Sequence, residues 1–336
     1  MSAEPPAALV SHAALIEDAL RESLREGPPE LLNASRYVMG WQDYGGAPAI
    51  TGGKRIRPAL CLFGATLFGA RPEVALPGAV AVELIHNFSL VHDEVQDHDA
   101  ERHHRPTLWA LLGEGQAINA GDFLITRATE ALLSGDGPAD RRLAALQVLN
   151  VAMAHMIAGQ WADISFETRM DVTPDDYLEM VRGKTGALLG APLAMGAILA
   201  GAPLQQAETI GRWGETVGLA FQVQDDYLGI WGDPNRTGKS NTNDIARRKK
   251  TLPIVHGLSS AQAAALREVY ESDEQGEPAV ARVVAALEAA GADSFCTDRG
   301  RQLVGEADAL LESFELAGEQ REHLRAVGRY LVERDR

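Results

Sequence analysis

The chain has 336 residues, of which 46% are hydrophobic and 23% charged, so its composition allows a large buried core and excludes an intrinsically disordered protein. Its formal net charge of −16 argues against nucleic acid or an anionic membrane as a partner, because neither attracts a strongly acidic protein without a dedicated basic patch. Two widely separated cysteines, Cys61 and Cys296, exclude a disulfide scaffold and a zinc site built from thiolates.

The N-terminal part of the chain predicts helix. Apolar residues return every three or four positions over residues 9–24, which is the period of an amphipathic helix. The first twenty residues carry acidic side chains and no basic leader before an apolar core, so we expect no signal peptide and a cytoplasmic protein. Residues 1–8 are expected to be flexible.

Helical periodicity continues along the chain, and no convincing run of alternating β-branched residues predicts a strand. Thr173, followed by Pro174 and two acidic residues, predicts a helix N-terminus. Glycine, proline and polar residues predict loops at residues 25–30, 44–55, 134–142, 232–243 and 271–278. Because no low-complexity linker separates two halves, we expect an all-α single domain over residues 1–336, a bundle of about a dozen helices around a central cavity.

One segment has the length of a membrane span. Residues 186–204 carry no charge over 19 positions. Most of them are alanine, glycine or proline, which are weakly apolar, and Pro192 and Pro203 interrupt the run. We therefore predict a buried helix that its neighbours approach closely, and no transmembrane segment.

The sequence VHDEVQDHDAERHHRPTLW, residues 91–109, concentrates acids directly after an apolar run. Residues four apart share one face of a helix, with Cβ atoms about 6 Å apart, so Asp93 and Asp97 point the same way while Glu94 and Gln96 look elsewhere. An exposed acidic helix face is the alternative interpretation, since acidic pairs are common on surfaces.

A second acidic cluster favours a functional interpretation. Asp225 and Asp226 follow the apolar helix GRWGETVGLAFQVQ, where carboxylates need a partner. Oxygen ligands without histidine or cysteine favour Mg²⁺, which prefers one or two carboxylates plus substrate phosphates. Basic residues at 52–58, 184 and 238–250 supply cations for such phosphates, and no P-loop pattern accompanies them. The two clusters thus predict a diphosphate substrate.

Five motifs then occur in an order that resembles one known family. They are GGKRIRP, ELIHNFSLVHDEVQD, the RxxRPT segment from Arg102, RGKTG, and FQVQDD followed by GK and KKTLP. With these motifs the chain resembles the trans-prenyl diphosphate synthases of the polyprenyl synthetase family, from about Thr51 to Pro253 and weakly to the end. The resemblance implies an all-helical fold of the isoprenoid synthase type and a homodimer.

The resemblance also implies a reaction. Mg²⁺ helps to remove diphosphate from an allylic substrate, the double bond of isopentenyl diphosphate attacks the carbocation, and a proton is lost. Three Mg²⁺ ions are expected on Asp93, Asp97 and Asp225. By similarity, isopentenyl diphosphate is bound by Lys54, Arg57 and His86, with His103 at a further position. The residues expected at the allylic diphosphate and the cation are Arg102, Lys184, Thr185, Gln222, Lys239 and Lys249.

This sequence departs from the family pattern at three places. Glu94 stands where the family has a second aspartate, in a position that points away from the metals. Gly229 stands where the family often has aspartate, and Asp233 is a possible replacement. His103 stands in place of an arginine that grips isopentenyl diphosphate, a loss of about 1.5 to 3 kcal/mol unless protonated His103 or Arg105 restores the contact.

Two other functions therefore stay open at this point. Weak binding of isopentenyl diphosphate would leave a terpene-synthase-like lyase, which ionises an allylic diphosphate without condensation. A non-catalytic helical subunit of a hetero-oligomer is the other, and the presence of both acidic clusters argues against it.

Product length depends on the residues that precede Asp93 on its helix. Phe88 lies five residues before Asp93 and Ser89 four, near one stripe of that helix. An aromatic residue five positions before the acidic motif and a small residue four positions before it resemble the pattern of the family's synthases of geranylgeranyl type. We expect a twenty-carbon product, with farnesyl diphosphate next; Phe88 as an ordinary core residue is the alternative.

Overall fold

The computed structural model describes residues 4–49, 53–232, 243–272, 274–313 and 316–333, and these are predominantly helical. The prediction of an all-α fold is confirmed. Helices α1 to α6 are Ala7–Val10, Ala13–Ser23, Pro29–Val38, Ile56–Thr66, Leu76–Gln96 and Leu108–Leu112. Helices α7 to α11 are Glu114–Ser134, Ala139–Phe166, Pro174–Val181, Ala187–Ala200 and Leu204–Trp231. Helices α12 to α17 are Asn243–Ala246, Leu252–Leu258, Ala263–Tyr270, Glu277–Ala289, Ala292–Glu312 and Gly318–Glu333.

The described residues fall into two compact units. We call Ala7–Val151 together with Ala191–Ile210 the N-terminal unit. The C-terminal unit is Ala152–Gly190 together with the described residues from Gly211 onward. The sequence-based expectation of a single domain stays a prediction.

In the N-terminal unit, α5 is buried along most of its length and packs against α4 and α7. Its first two turns, residues 76–82, are apolar on every side, as expected for a helix inside a core. Small residues permit the close packing: a Cβ added at Gly64 of α4 would lie 2.4 Å from the carbonyl oxygen of Leu193. This packing fixes the acidic C-terminal end of α5 on a rigid element.

In the C-terminal unit, α9 begins where the sequence predicts. The Thr173 side chain accepts a hydrogen bond from the Asp176 backbone N–H, and the Asp176 carboxylate accepts one from the Thr173 backbone N–H, which forms a capping box. A π-helical turn, Arg182–Gly186, separates α9 from α10. Single π-helical turns inside helices are frequent at functional sites.

A two-residue hairpin follows α5. Strand β1, Glu101–Arg102, pairs antiparallel with β2, Arg105–Pro106. The two loop residues, His103 and His104, have φ angles of 52° and 59°, as a type I′ turn requires. Strands this short leave no alternating pattern, so the sequence did not predict the hairpin.

By length and composition alone, three helical stretches of the described chain could cross a membrane: Pro72–Gln96, Ala139–Phe166 and Pro174–Ala200. The most apolar windows of the first and third are 67% and 78% buried within the protein, so their apolar character serves the core. The third contains the uncharged segment predicted as a buried helix. The window in α8 is 28% buried, which leaves an apolar surface on that helix.

Candidate active site

The first acidic motif lies at the end of α5. The Asp97 backbone N–H donates to the Asp93 carbonyl oxygen at 2.8 Å, so the helical spacing of the two residues is kept although α5 ends at Gln96. Asp93 is half-buried and Asp97 is exposed. Two carboxylates one turn apart can therefore act together at the rim of the N-terminal unit.

Glu94 takes a different direction. Its side chain is buried, and its Oε1 accepts from Nε of Arg102 on β1 at 2.8 Å. Burial raises the pKa of Glu94 to about 7, although the charge of Arg102 and its hydrogen bond act in the opposite direction. Glu94 thus fastens the hairpin to α5, and its carboxylate is engaged by Arg102.

A cavity of about 180 Å³ lies in the N-terminal unit between one face of α5, the hairpin and the segment that leads into α4. Three arginines and two histidines line it: Arg55, Arg102, Arg105, His86 and His103. The buried carboxylates of Glu83 and Glu94 balance part of this charge. A pocket with several cations and a few polar groups is suited to a small anion such as a diphosphate.

His86 is a half-buried member of this basic group. Burial lowers the pKa of its imidazole well below the usual value, and the nearby positive charges of Arg57, Arg102 and Arg55 lower it further. His86 is therefore neutral at physiological pH and offers a hydrogen bond without a charge.

Sequence reasoning missed the residues that hold this pocket together. Arg55, in a left-handed conformation with φ of 50°, donates from Nη1 to the Glu83 carboxylate at 2.8 Å and from Nη2 to the Met39 carbonyl oxygen at 2.8 Å. Glu83 lies one turn before His86 on the same face of α5. The sequence shows Arg55 only as one of the arginines of GGKRIRP and Glu83 only as an acid inside an apolar helix. Neither pattern indicates that the two side chains form an ion pair.

The structure brings three of the predicted diphosphate-binding residues together, since His86, Arg102 and His103 all line the cavity. Arg57 lies close enough to His86 to lower its pKa, whereas Lys54 is exposed on the segment before α4. Neither Arg57 nor Lys54 is among the cavity-lining residues.

Arg105 was considered above as a substitute for the arginine that His103 replaces, but its guanidinium is engaged in contacts within the protein. Its guanidinium donates to the carbonyl oxygens of Gln42 at 2.9 Å and Tyr37 at 3.3 Å, and it stacks 4.1 Å from the Tyr37 ring centroid. Its side chain still lines the cavity beside exposed His103. Arg105 therefore joins the hairpin to α3 and the segment after it.

The second group of predicted residues lies in the C-terminal unit. The π-helical turn presents Lys184 and Thr185, and its backbone meets α8 at two glycines: a Cβ on Gly159 would lie 2.4 Å from the Lys184 nitrogen, and one on Gly183 would lie 2.5 Å from a carbonyl oxygen of α8. Nζ of Lys184 lies 2.5 Å from Oδ2 of Asp163 on α8. Asp163, the partner of a predicted site residue, was not predicted from the sequence, since one acid on a long helix has no distinctive pattern.

A hydrogen-bond network extends from Thr185. Its hydroxyl donates to Oε1 of Gln222 at 3.3 Å, and Nε2 of Gln222 donates to Oδ1 of Asp226 at 3.0 Å. Oδ2 of Asp226 accepts from the Tyr177 hydroxyl at 2.5 Å and from the Leu252 backbone N–H at 3.0 Å. Burial raises the pKa of Asp226 to about 6, and the three hydrogen bonds act in the opposite direction.

Asp225, one residue earlier, is half-buried, so the two adjacent aspartates differ in environment. Gly229 lies one turn further along α11, and a Cβ there would lie 3.2 Å from Oδ2 of Asp244. A described carboxylate therefore occupies the space beside Gly229. Asp233, the replacement considered from the sequence, lies outside the described residues.

Of the two lysines expected near the allylic diphosphate in the last motif, Lys239 lies outside the described residues and Lys249 is exposed. The neighbouring Lys250 is buried: its Nζ donates to the Glu167 carbonyl oxygen at 2.9 Å and lies 5.2 Å from the Tyr270 ring centroid. Lys250 thus fixes the segment on which exposed Lys249 lies.

The two positions expected to limit chain length are packed differently. Phe88 is buried, with its ring edge-on to His92 at 4.8 Å between centroids. Ser89 is half-buried, and its hydroxyl donates to the His86 carbonyl oxygen at 2.8 Å. Ser89 therefore leaves a small volume at its position, while Phe88 belongs to the packed part of α5.

Within the described ranges, no group of three or more histidine, cysteine or acidic side chains converges to hold a metal ion by itself. The donor set nevertheless fits Mg²⁺, which binds through one or two carboxylates and completes its shell with water and substrate phosphates. Asp93 and Asp97 supply two such carboxylates at an accessible helix end, and Asp225 supplies another in the C-terminal unit.

Comparison with known proteins agrees with this chemistry. The family model described as "Polyprenyl synthetase" matches residues 47–287. A protein named (2E,6E)-farnesyl diphosphate synthase, from Mycobacterium tuberculosis, is 40% identical over 327 residues, which are 95% of this chain and 90% of that protein.

Two solved structures extend the comparison. A polyprenyl synthetase from Streptomyces coelicolor A3(2) has a TM-score of 0.91 and 38% identity, covering 97% of this chain and 99% of that chain. A geranylgeranyl pyrophosphate synthase from Corynebacterium glutamicum, complexed with isoprenyl diphosphate and magnesium, has a TM-score of 0.83 and 26% identity, covering 97% and 99%.

Proposed function

The chain belongs to the polyprenyl synthetase family, and on that premise we propose that it makes geranylgeranyl diphosphate. It is a short-chain prenyltransferase, an enzyme that condenses isopentenyl diphosphate with an allylic diphosphate. The small Ser89 before the acidic motif supports the twenty-carbon product. The farnesyl name of the Mycobacterium tuberculosis relative keeps fifteen carbons as the second product.

The observation that carries this proposal is the basic cavity at the end of α5. Its lining includes Glu94, the residue that follows Asp93 in the acidic motif, so we propose neighbouring sites for a diphosphate and for the metal ions that accompany it. Lys54, Arg57, His86 and His103 are assigned to isopentenyl diphosphate. Neutral His86 contributes a hydrogen bond there, and the arginines contribute the charge.

We assign the allylic diphosphate to cations from several segments: Arg102, Lys184, Lys239 and Lys249. Arg102 is oriented by Glu94 and Lys184 by Asp163, so both cations are already positioned before substrate arrives. Asp93, Asp97 and Asp225 would hold three Mg²⁺ ions. When bound, these ions supply Lewis-acid stabilisation of the departing diphosphate. Thr185 and Gln222 are assigned to the position of the carbocation.

We also propose a cytoplasmic homodimer that binds no nucleic acid. On α8, Ile157, Trp161 and Ile164 form one helical stripe, and Trp161 is 79% exposed. An exposed apolar stripe of this kind indicates a protein interface. Light scattering should report a dimer for the native chain and a monomer for W161E. Leu204, exposed outside α8, is the control position: L204E should stay dimeric, and an unchanged mass for W161E would contradict this interface.

The function is tested by product analysis. The purified protein is incubated with Mg²⁺ and dimethylallyl, geranyl or farnesyl diphosphate, with and without isopentenyl diphosphate. We expect a twenty-carbon diphosphate, formed when isopentenyl diphosphate is present. Hydrocarbons or alcohols formed without isopentenyl diphosphate would instead establish a lyase, and the absence of any product would establish a non-catalytic subunit.

A further inference from the structure

We infer that Asp226 is a positioning residue that sets the direction of the hydrogen bond between Thr185 and Gln222, and so fixes which part of the Thr185 hydroxyl faces the reacting carbon. The inference rests on the proposed function, because it uses the assignment of Thr185 and Gln222 to the carbocation. It gives the second aspartate of FQVQDD a task separate from metal binding.

The direction follows from the donors and acceptors of the network. An ionised carboxylate only accepts hydrogen bonds, so Asp226 at 3.0 Å requires the Nε2 end of the Gln222 amide to face it. The Oε1 end then faces Thr185 at 3.3 Å, and because an amide oxygen only accepts, the Thr185 hydroxyl must donate. Once the Asp226 carboxylate is in place, the donor and the acceptor of each of these hydrogen bonds are therefore determined.

Asp226 is itself held firmly. Its side chain is buried within the C-terminal unit, and Oδ2 accepts from the Tyr177 hydroxyl at 2.5 Å and the Leu252 N–H at 3.0 Å. These donors come from α9 and from the first residue of α13, so two further elements fix the carboxylate plane. Oδ1 is thereby turned toward Gln222 on the preceding turn of α11.

The consequence concerns Thr185. With its hydrogen engaged by Gln222, the hydroxyl offers its oxygen lone pairs, the electron-rich side, to any further neighbour. A carbon that becomes positively charged is stabilised by such an oxygen and destabilised by a hydroxyl hydrogen. Thr185 follows Lys184 within the π-helical turn, so the hydrogen-bond acceptor and the cation assigned to diphosphate are presented by the same element.

The inference is tested by a variant that reverses the direction of the hydrogen bonds from residue 226 through Gln222 to Thr185. In D226N, the asparagine oxygen would still accept from Tyr177 and Leu252, which places the amide nitrogen toward Gln222 and forces the glutamine amide to flip. We expect kcat to fall about 10- to 100-fold, while KM for both diphosphates changes less than about twofold. Q222E places two carboxylates against each other and should lose activity similarly. In the double variant D226N/Q222E, the amide at 226 donates to the carboxylate at 222, and the Thr185 hydroxyl donates to that carboxylate as it does to Gln222 in the native protein.

The double-mutant cycle decides the outcome. We expect D226N/Q222E to be at least about tenfold more active than either single variant, because the carboxylate and the amide have exchanged places. Losses that simply multiply in the double variant would overturn the inference, since a merely structural contact has no preferred direction. Thermal unfolding is measured for all four proteins and should show the same rescue.

Two further variants keep the test decisive if D226N does not fold. Gln222→Met removes the hydrogen bonds that join Asp226 to Thr185 but leaves Asp226 hydrogen-bonded to Tyr177 and Leu252. The kcat of this variant should fall about as far as predicted for D226N. Combined with T185V, it should reduce kcat no further than T185V alone, because both act through the same hydroxyl. A Q222M protein with kcat within about threefold of the native enzyme would overturn the inference.

Failure of the proposed function gives a different result. If the native protein forms no longer diphosphate, the proposed function is wrong, and the unfolding cycle still reports whether residues 222 and 226 are coupled. If the native protein is active and the kinetic cycle is additive, the inference about Asp226 alone is wrong.

Discussion

The two acidic motifs share a design but differ in the partner of their second acid. Asp93 and Asp225 are half-buried, whereas Glu94 and Asp226 are 8% and 4% exposed. Burial raises the pKa of both buried acids, to about 7 and about 6. Glu94 faces the charged guanidinium of Arg102, while Asp226 faces neutral donors.

This difference separates two ways of using a buried carboxylate. An ion pair holds a flexible cationic side chain, and its strength depends on salt and on the charge state of both partners. A carboxylate surrounded by neutral donors holds no charge in place, but it fixes the direction of each hydrogen bond. The first motif thus orients a cation of the hairpin, and the second orients an amide.

The largest expected effect concerns the half-buried first acids. D93N and D225N should each lower kcat/KM about 10²- to 10³-fold, because each removes a proposed magnesium carboxylate, while the melting temperature should change by less than about 2 °C. Steady-state kinetics at several Mg²⁺ concentrations, with calorimetry, measures both. A fall in melting temperature as large as that measured for D226N would erase the distinction between first and second acids.

Removing one partner of the ion pair should cost more stability than removing one neutral donor. R102M leaves the Glu94 carboxylate buried and unpaired, and we expect a loss of about 2 kcal/mol in unfolding free energy after allowance for the partly exposed arginine. Y177F removes one of three donors to Asp226 and should cost about 1 kcal/mol. Denaturant titration ranks the two, and the reverse order would contradict the comparison. The double variant R102M/E94Q should recover part of the loss.

The pH dependence of stability should reveal Glu94. Its folded-state pKa, about 7, lies above the ordinary value of 4.5, so its contribution to stability is fully present below pH 4.5 and is lost as the pH rises to 7. E94Q removes this dependence. Relative to E94Q, the native protein should therefore lose about 2 kcal/mol of unfolding free energy between pH 4.5 and 7. A constant difference between the two proteins over this range would show that burial does not perturb Glu94.

The smallest effect tests why the second motif lacks a later acid. A side chain at Gly229 would lie against the Asp244 carboxylate, so G229D places two negative charges together. We expect G229D to be about 0.5 kcal/mol less stable than the matched variant G229N. Adding D244N should remove this difference. Equal stability of G229D and G229N in the native background would show that Asp244 does not repel a charge at this position.

Local chemistry in the sequence predicted much of the fold. The apolar period of the helices, the Thr173 N-cap and the one-turn spacing of Asp93 and Asp97 involve residues at most four apart, so backbone geometry alone relates them. The order of the motifs identified the family, which the comparisons confirm.

Tertiary structure decided what each polar side chain does. Arg55 meets Glu83 across 28 positions, Tyr177 meets Asp226 across 49, and Lys184 meets Asp163 across 21. No local pattern relates such residues. Their pairing, and the direction of each hydrogen bond, follow from the requirement that buried polar groups be satisfied by whichever segments the packing of the helices brings to them.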